Sequence, residues 1–161
     1  MSNMIKVGIA DMKICQAPDK ITTIGLGSCV GVAMYDGVTG ICGLLHIMLP
    51  DSTKIANNSN KLKFADTGID ALLESVLAAG AKESLLKTKI AGGAQMFNYL
   101  LKSSVGNIGE NNVTAVKNKL AELKIPILAE DVGKNFGRTV IFDPETYELA
   151  IVKAGSERYV I

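Results

Sequence analysis

CVGVAMYDGVTGICGLLHIML, residues 29–49, holds two apolar runs, 29–35 and 41–49, separated by the turn-forming DG and TG steps of Asp36-Gly37-Val38-Thr39-Gly40. Short runs rich in Val, Ile and Leu with a glycine-containing turn between them form β-hairpins. If the four residues Asp36 to Thr39 are the loop, Tyr35 pairs with Gly40 and the paired numbers keep a constant sum along the ladder. Cys29 then lies opposite His46, the chain's only histidine. Directly opposed side chains have Cβ atoms about 4.5–5.5 Å apart, near enough for a sulfur and an imidazole nitrogen to meet. A loop longer by one residue pairs Cys29 with Ile47 instead and sends His46 to the other face of the sheet.

Upstream of this hairpin, Ile5, Val7 and Ile9 alternate with polar or small residues, and Ile21 and Thr23 continue a strand pattern up to the glycines of GLG. Downstream, Pro50-Asp51-Ser52 ends the hairpin, and the polar stretch DSTKIANNSNKLK (51–63) reads as a surface loop. Asp66 and Thr67 can cap a helix whose Ile69, Leu72, Leu73, Val76 and Leu77 share one face, with Gly80 placed to end it. LLKTKIA (85–91) reads as a strand running into Gly92-Gly93, and QMFNYLL after it as either a short helix or a buried loop. A second helix over about 110–124 turns Val113, Val116, Leu120 and Leu123 inward, and PILAEDV follows as a strand. RTVIFD and ELAIVK, joined by Pro144-Glu145-Thr146-Tyr147, form a last hairpin. With neither a repeat nor a linker, this order predicts one α+β domain over residues 1–161, a layered α/β sandwich of mixed or antiparallel sheets with two main helices.

Composition agrees: 161 residues, 48% hydrophobic and 20% charged, describe an ordinary globular chain. A net charge of +1 gives no footprint for nucleic acid or anionic lipid. The opening MSNMIKVGIADMKIC alternates instead of pairing a basic stretch with a long apolar run, so a cytoplasmic protein without membrane insertion is the expectation. Cys15, Cys29 and Cys42 are an odd count without CxxC spacing, and a single histidine does not complete a zinc site. Neither a disulfide framework nor a metal or other cofactor is expected.

A cysteine facing a histidine has two readings. Both can be buried core residues, or they can form a nucleophile and its base, in which a neighbouring imidazolium stabilises the thiolate. In the second reading, a group accepting from the other ring nitrogen fixes the tautomer, and Thr23 offers one. Gly25 and Gly27 let backbone approach a substrate, and N–H groups around Ser28-Cys29 could bind an oxyanion. A nucleophile elbow does not fit, because a strand and not a helix follows Cys29. Gly25-x-Gly27-x-x-x-Gly31 lacks the third glycine of a dinucleotide fingerprint, and no GK[ST] follows for a P-loop. Cys42 shares the strand face of His46, and burial is the expectation for it.

TTIGLGSCVGVAMYD, GLLHIMLPDS, KFADTGIDALL, KIAGGAQMF, NIGENNV and AEDVGKNFGRTVIFDPET, in this order from about Ile21 to Val152, resemble the CheD family of chemoreceptor glutamine deamidases. The resemblance implies a Cys-His-Thr hydrolase that needs no cofactor, converting glutamine side chains of methyl-accepting chemotaxis proteins to glutamate with release of ammonia. By motif position the nucleophile falls on Cys29, the general base on His46 and the third member on Thr23. It implies a fold similar to the catalytic domain of the cytotoxic necrotizing factors. As partners it implies the cytoplasmic helices of membrane-bound receptors and the CheC phosphatase. Gly92, Gly93 and Phe97 are candidates for substrate or partner contact, or for packing. One position departs from the family's usual N-I-G-x-R-N: Asn111 stands where Arg is common, which bears on specificity and not on the triad. Arg138 is retained and is expected to brace the fold. The alternatives are a non-catalytic module that binds receptors and CheC, and another cysteine hydrolase such as a protease or transglutaminase.

Overall fold

The computed structural model describes residues 2–96, 107–155 and 157–161. Along the chain run β1 (Met4–Val7), β2 (Asp11–Gln16), β3 (Lys20–Leu26), β4 (Val30–Asp36), β5 (Ile41–Ile47), α1 (Ala65–Ala78), β6 (Leu86–Gly92), α2 (Ile108–Glu122), β7 (Ile127–Val132), β8 (Arg138–Asp143), β9 (Glu148–Lys153) and β10 (Arg158–Val160). The strands form two five-stranded mixed sheets, β1-β3-β8-β9-β10 and β2-β5-β4-β6-β7. This is the α+β fold expected from the element order.

Period-2 alternation gives β4 and β5 two apolar faces, and each is covered. Val30, Val32, Met34, Leu45 and Ile47 pack with Ile69, Leu72 and Val76 of α1 and Val116 and Leu120 of α2. Ala33, Tyr35, Cys42 and Leu44 pack on the other side with Ile21, Val140, Phe142 and Ile151 of the first sheet. Strands buried on both faces read as unbroken apolar runs, as these do. Sheet, sheet and helices make three layers around the 30–47 hairpin.

The hairpin register differs from the expected one. Tyr35 pairs with Cys42, Val30 with Ile47 and Gly31 with His46, so His46 faces Gly31 and not Cys29. The turn lies one residue further along, because Asp36 stays in the strand and its carboxylate accepts the N–H groups of Val38 (2.8 Å), Thr39 (3.3 Å) and, across the sheet, Lys82 (2.9 Å). Gly40 closes the turn with φ +75° and donates to Asp36 O. Moving the turn by one residue moves the pairing by two, which preserves the faces: Cys29, Gly31 and His46 still look toward the other sheet.

Helix ends differ as well. α1 starts at Ala65 with Phe64 as an N-cap that makes no side-chain bond. Asp66 and Thr67 sit inside the first turn and tether the 51–63 loop, Asp66 accepting from Ser52 N (3.1 Å) and Oγ (2.7 Å), Thr67 Oγ1 donating to Lys61 O (2.6 Å). α2 is capped by Asn107, whose side chain accepts from Glu110 N (3.0 Å). Strands β2 and β10 were not legible beforehand, and β1 ends at Val7, before the exposed Ile9.

Arg138 braces the fold, as expected. Its guanidinium is buried between the sheets, paired with Asp131 (Nε to Oδ2 2.9 Å), donating to the carbonyls of Gly133 (3.1 Å) and Gly92 (3.4 Å) and lying over the Phe136 ring. Tyr159 of β10 donates to the same Asp131 oxygen at 2.6 Å, which ties the C-terminal strand to β7. Among the described residues, no helix is long and apolar enough to cross a membrane.

Candidate active site

Thr23 and His46 meet between the two sheets, and Cys29 packs against the core on the same inter-sheet face. Thr23 lies on β3 of one sheet and His46 on β5 of the other, and their side chains meet with Oγ1 and Nδ1 2.7 Å apart. Both are buried, Thr23 at 1% and His46 at 0% exposure. The Thr23 hydroxyl also lies 2.8 Å from Val7 O. A carbonyl can only accept, so the single hydroxyl proton goes to Val7 and Thr23 Oγ1 must accept from His46 Nδ1–H. That fixes the tautomer: Nε2 carries the lone pair. It is buried without a hydrogen-bond partner among the described residues.

Cys29 closes the Gly25–Cys29 segment, which follows a register irregularity in β3 between Thr23 and Leu26. Bulges of this kind re-aim side chains near active sites. The thiol is half-buried and packs against the inter-sheet core on the face shared with His46. Cys29 is a diagonal neighbour of His46, two residues along from the opposed Gly31, and such neighbours lie roughly 7–8 Å apart at Cα, within reach of a long side chain. Gly31, opposite His46, has no room for a larger residue, since a Cβ there would press against Leu26 at 3.1 Å and meet Thr23 at 3.8 Å. Its role was missed because the expected register put Cys29 there.

Burial sets the charges. It pushes the Cys29 thiol up from its ordinary value and His46 down to about 4, since each charged form loses hydration. The resting pair is therefore thiol and neutral imidazole, which corrects the expected thiolate and imidazolium. Unfolded chain takes up the His46 proton as pH falls through about 6.5, whereas the folded protein does so only near 4. Stability from the neutral ring is thus fully present above pH ~6.5 and is lost toward ~4, about 2.5 kcal/mol of it between pH ~7 and ~4.5. NMR titration of the lone histidine should give a midpoint near 4, and the pH slope of urea unfolding should flatten in this window in His46→Gln. A midpoint near the ordinary 6.5 would show the ring to be solvated.

The carbonyls around Cys29 are all held from one side. Gly93 N–H donates to Cys29 O (2.8 Å), Ala94 N–H to Gly27 O (2.8 Å) and Asn112 Nδ2 to Ser28 O (2.9 Å). Gly92, with φ +112°, presses so close to the Cys29 carbonyl that a Cβ would collide with it. Sequence placed Gly92 and Gly93 as contact candidates; here they clamp the Cys29 loop. Neither Ser28 N–H nor Cys29 N–H donates to a backbone or side-chain oxygen among the described residues. Gly25 takes φ +82°, and a Cβ at Gly27 would meet the Met96 side chain at 3.4 Å. Phe97 lies outside the described residues. A cleft of about 260 Å³ opens beside Ser28, walled by Ala94, Met96, Ile108 and Gly109. Cys15 and Cys42 face each other across β2 and β5 as buried free thiols.

Asn112, fully buried on α2, was not singled out from the sequence. The available signal was a polar residue one turn before the inward Val116.

The family described as "CheD chemotactic sensory transduction" matches residues 48–153. A protein of Lachnoclostridium phytofermentans is 56% identical over 155 residues, covering 96% of both chains. One of Caldanaerobacter subterraneus subsp. tengcongensis is 53% identical over 154 residues, covering 96% of this chain and 95% of its own. One of Clostridium botulinum is 55% identical over 151 residues, covering 94% and 93%. Each of the three is named a probable chemoreceptor glutamine deamidase CheD. On the family match and these identities, the chain belongs to the CheD family.

Proposed function

We propose that this protein deamidates glutamine side chains of chemoreceptors, with Cys29 as nucleophile, His46 as general base and acid, and Thr23 as the group that orients the ring. The observation that carries the reading is the Thr23–His46 bond, with the hydroxyl proton committed to Val7 O, which leaves a bare, buried Nε2 on the face shared with Cys29. A ring held as Nδ1–H is in the form a general base needs.

The chemistry then proceeds in two halves. Cys29 Sγ attacks the side-chain carbonyl carbon of the glutamine while its proton passes to His46 Nε2. The oxyanion accepts from the N–H groups of Ser28 and Cys29. As the C–N bond breaks, Nε2–H protonates the departing nitrogen and ammonia leaves a thioester. His46 next takes a proton from water, whose oxygen attacks the thioester; the C–S bond breaks, the thiolate recovers the proton, and glutamate is released. The apolar cleft beside Ser28 suits the flank of a receptor helix that carries the glutamine. Binding to CheC belongs to the same reading.

The test is incubation of a receptor cytoplasmic fragment from the same organism with the protein, followed by peptide mass spectrometry. Glutamine-to-glutamate conversion at defined positions with stoichiometric ammonia is expected. Receptor or CheC binding without conversion would replace the enzyme by a non-catalytic module.

A further inference from the structure

We propose that Asn112 is a positioning residue of the active site: its carboxamide ties the Cys29 loop to the end of the His46 strand and so sets the distance between nucleophile and base. This rests on the Cys29–His46 reading above. Asn112 Nδ2 donates to Ser28 O at 2.9 Å and to Met48 O at 2.9 Å. Ser28 is the residue before the nucleophile, and Met48 is two beyond the base. Both acceptors are carbonyls, so the amide orientation is fixed by its partners. One NH2 group thereby spans two chain segments from a third element, α2.

That element is itself well placed to act as a reference. Gly109, in the first turn of α2, sits against the carbonyls of Gly93 and Ala94 with no room for a Cβ. Gly93 and Ala94 in turn bind the carbonyls on either side of Ser28. Met48 N–H is held by Lys63 O at 2.8 Å, so the Met48 peptide is anchored from both sides.

Packing alone does not account for a polar residue here. Asn112 is fully buried and its Oδ1 has no partner among the described residues. A buried unpaired carbonyl-type oxygen costs stability, and an apolar residue of similar size would avoid it while losing the two bonds to Ser28 and Met48. What the amide adds is the connection between those two carbonyls.

The test uses rates of Cys29 alkylation by iodoacetamide at neutral pH, read by peptide mapping, for wild type, Asn112→Ala, His46→Ala and the double variant, with exposed Asn118→Ala of the same helix as control. His46 assists loss of the thiol proton in the wild type, so His46→Ala should react more slowly. Asn112→Ala should slow alkylation about tenfold when His46 is present and by less than about twofold when it is absent, the non-additivity expected of groups acting as a unit. In deamidation, Asn112→Ala should lower kcat roughly 10²-fold with KM within about twofold, the signature of a small misplacement. Equal alkylation of wild type and His46→Ala would overturn the dyad, and this proposal with it. A His46-dependent rate that Asn112→Ala leaves unchanged, or lowers by the same factor in both backgrounds, would overturn this proposal alone. Should Asn112→Ala lose cooperative unfolding, Asn112→Ser, which keeps one donor, carries the same comparison.

Discussion

Cys29→Ala is expected to abolish deamidation, lowering kcat on the order of 10⁴-fold or more, because it removes the thiol that forms the covalent intermediate. The fold should survive. Cys29 is half-buried at a loop end, and its side chain makes no hydrogen bond to another residue among the described residues, so the stability change should stay within about 1 kcal/mol. Mass spectrometry of the receptor fragment measures the first effect and thermal unfolding the second. Persisting conversion would exclude Cys29 as nucleophile. A large loss of stability with the rate little changed would make it a packing residue.

His46→Gln separates chemistry from structure at the second position. The glutamine amide can still donate to Thr23 Oγ1, so the buried bond between the sheets has a replacement, but no imidazole lone pair remains to take the thiol proton. General acid–base assistance is worth roughly 10²–10⁴-fold, and the variant acts on both halves of the reaction, so a fall toward the upper end of that range is expected. A rate within tenfold of wild type would show that the proton leaves Cys29 by another route.

These two results also separate the competing readings. A module that only binds receptors or CheC would lose nothing on either substitution. A protease would need to seat an extended backbone beside Cys29. The cleft next to Ser28 is lined by Ala94, Gln95, Met96, Asn107, Ile108 and Gly109, a mostly apolar surface.

Much of this was already legible in the sequence. The alternation in 29–35 and 41–49, the DG and TG steps between them and the amphipathic period of 65–78 are local properties, and local sterics and hydrophobic patterning are enough to make the elements. Motif order pointed to Cys29, His46 and Thr23 before their positions were known.

Tertiary structure decided the rest. The pairing register depended on Asp36, whose carboxylate is held partly by Lys82 from across the sheet, a contact that no local rule contains. Burial between two sheets strengthens the preference for neutral thiol and neutral imidazole and carries it to lower pH for His46 than an isolated residue would show. The tautomer of His46 depended on Val7, distant in sequence and brought beside Thr23 by parallel pairing of β1 with β3. Asn112 gained its role only because α2 crosses the point where the Cys29 loop and the His46 strand end together. Sequence determined which side chains exist and which elements they build. Their distances, protons and partners are set by contacts between residues far apart in the chain, and those exist only once the layers have packed.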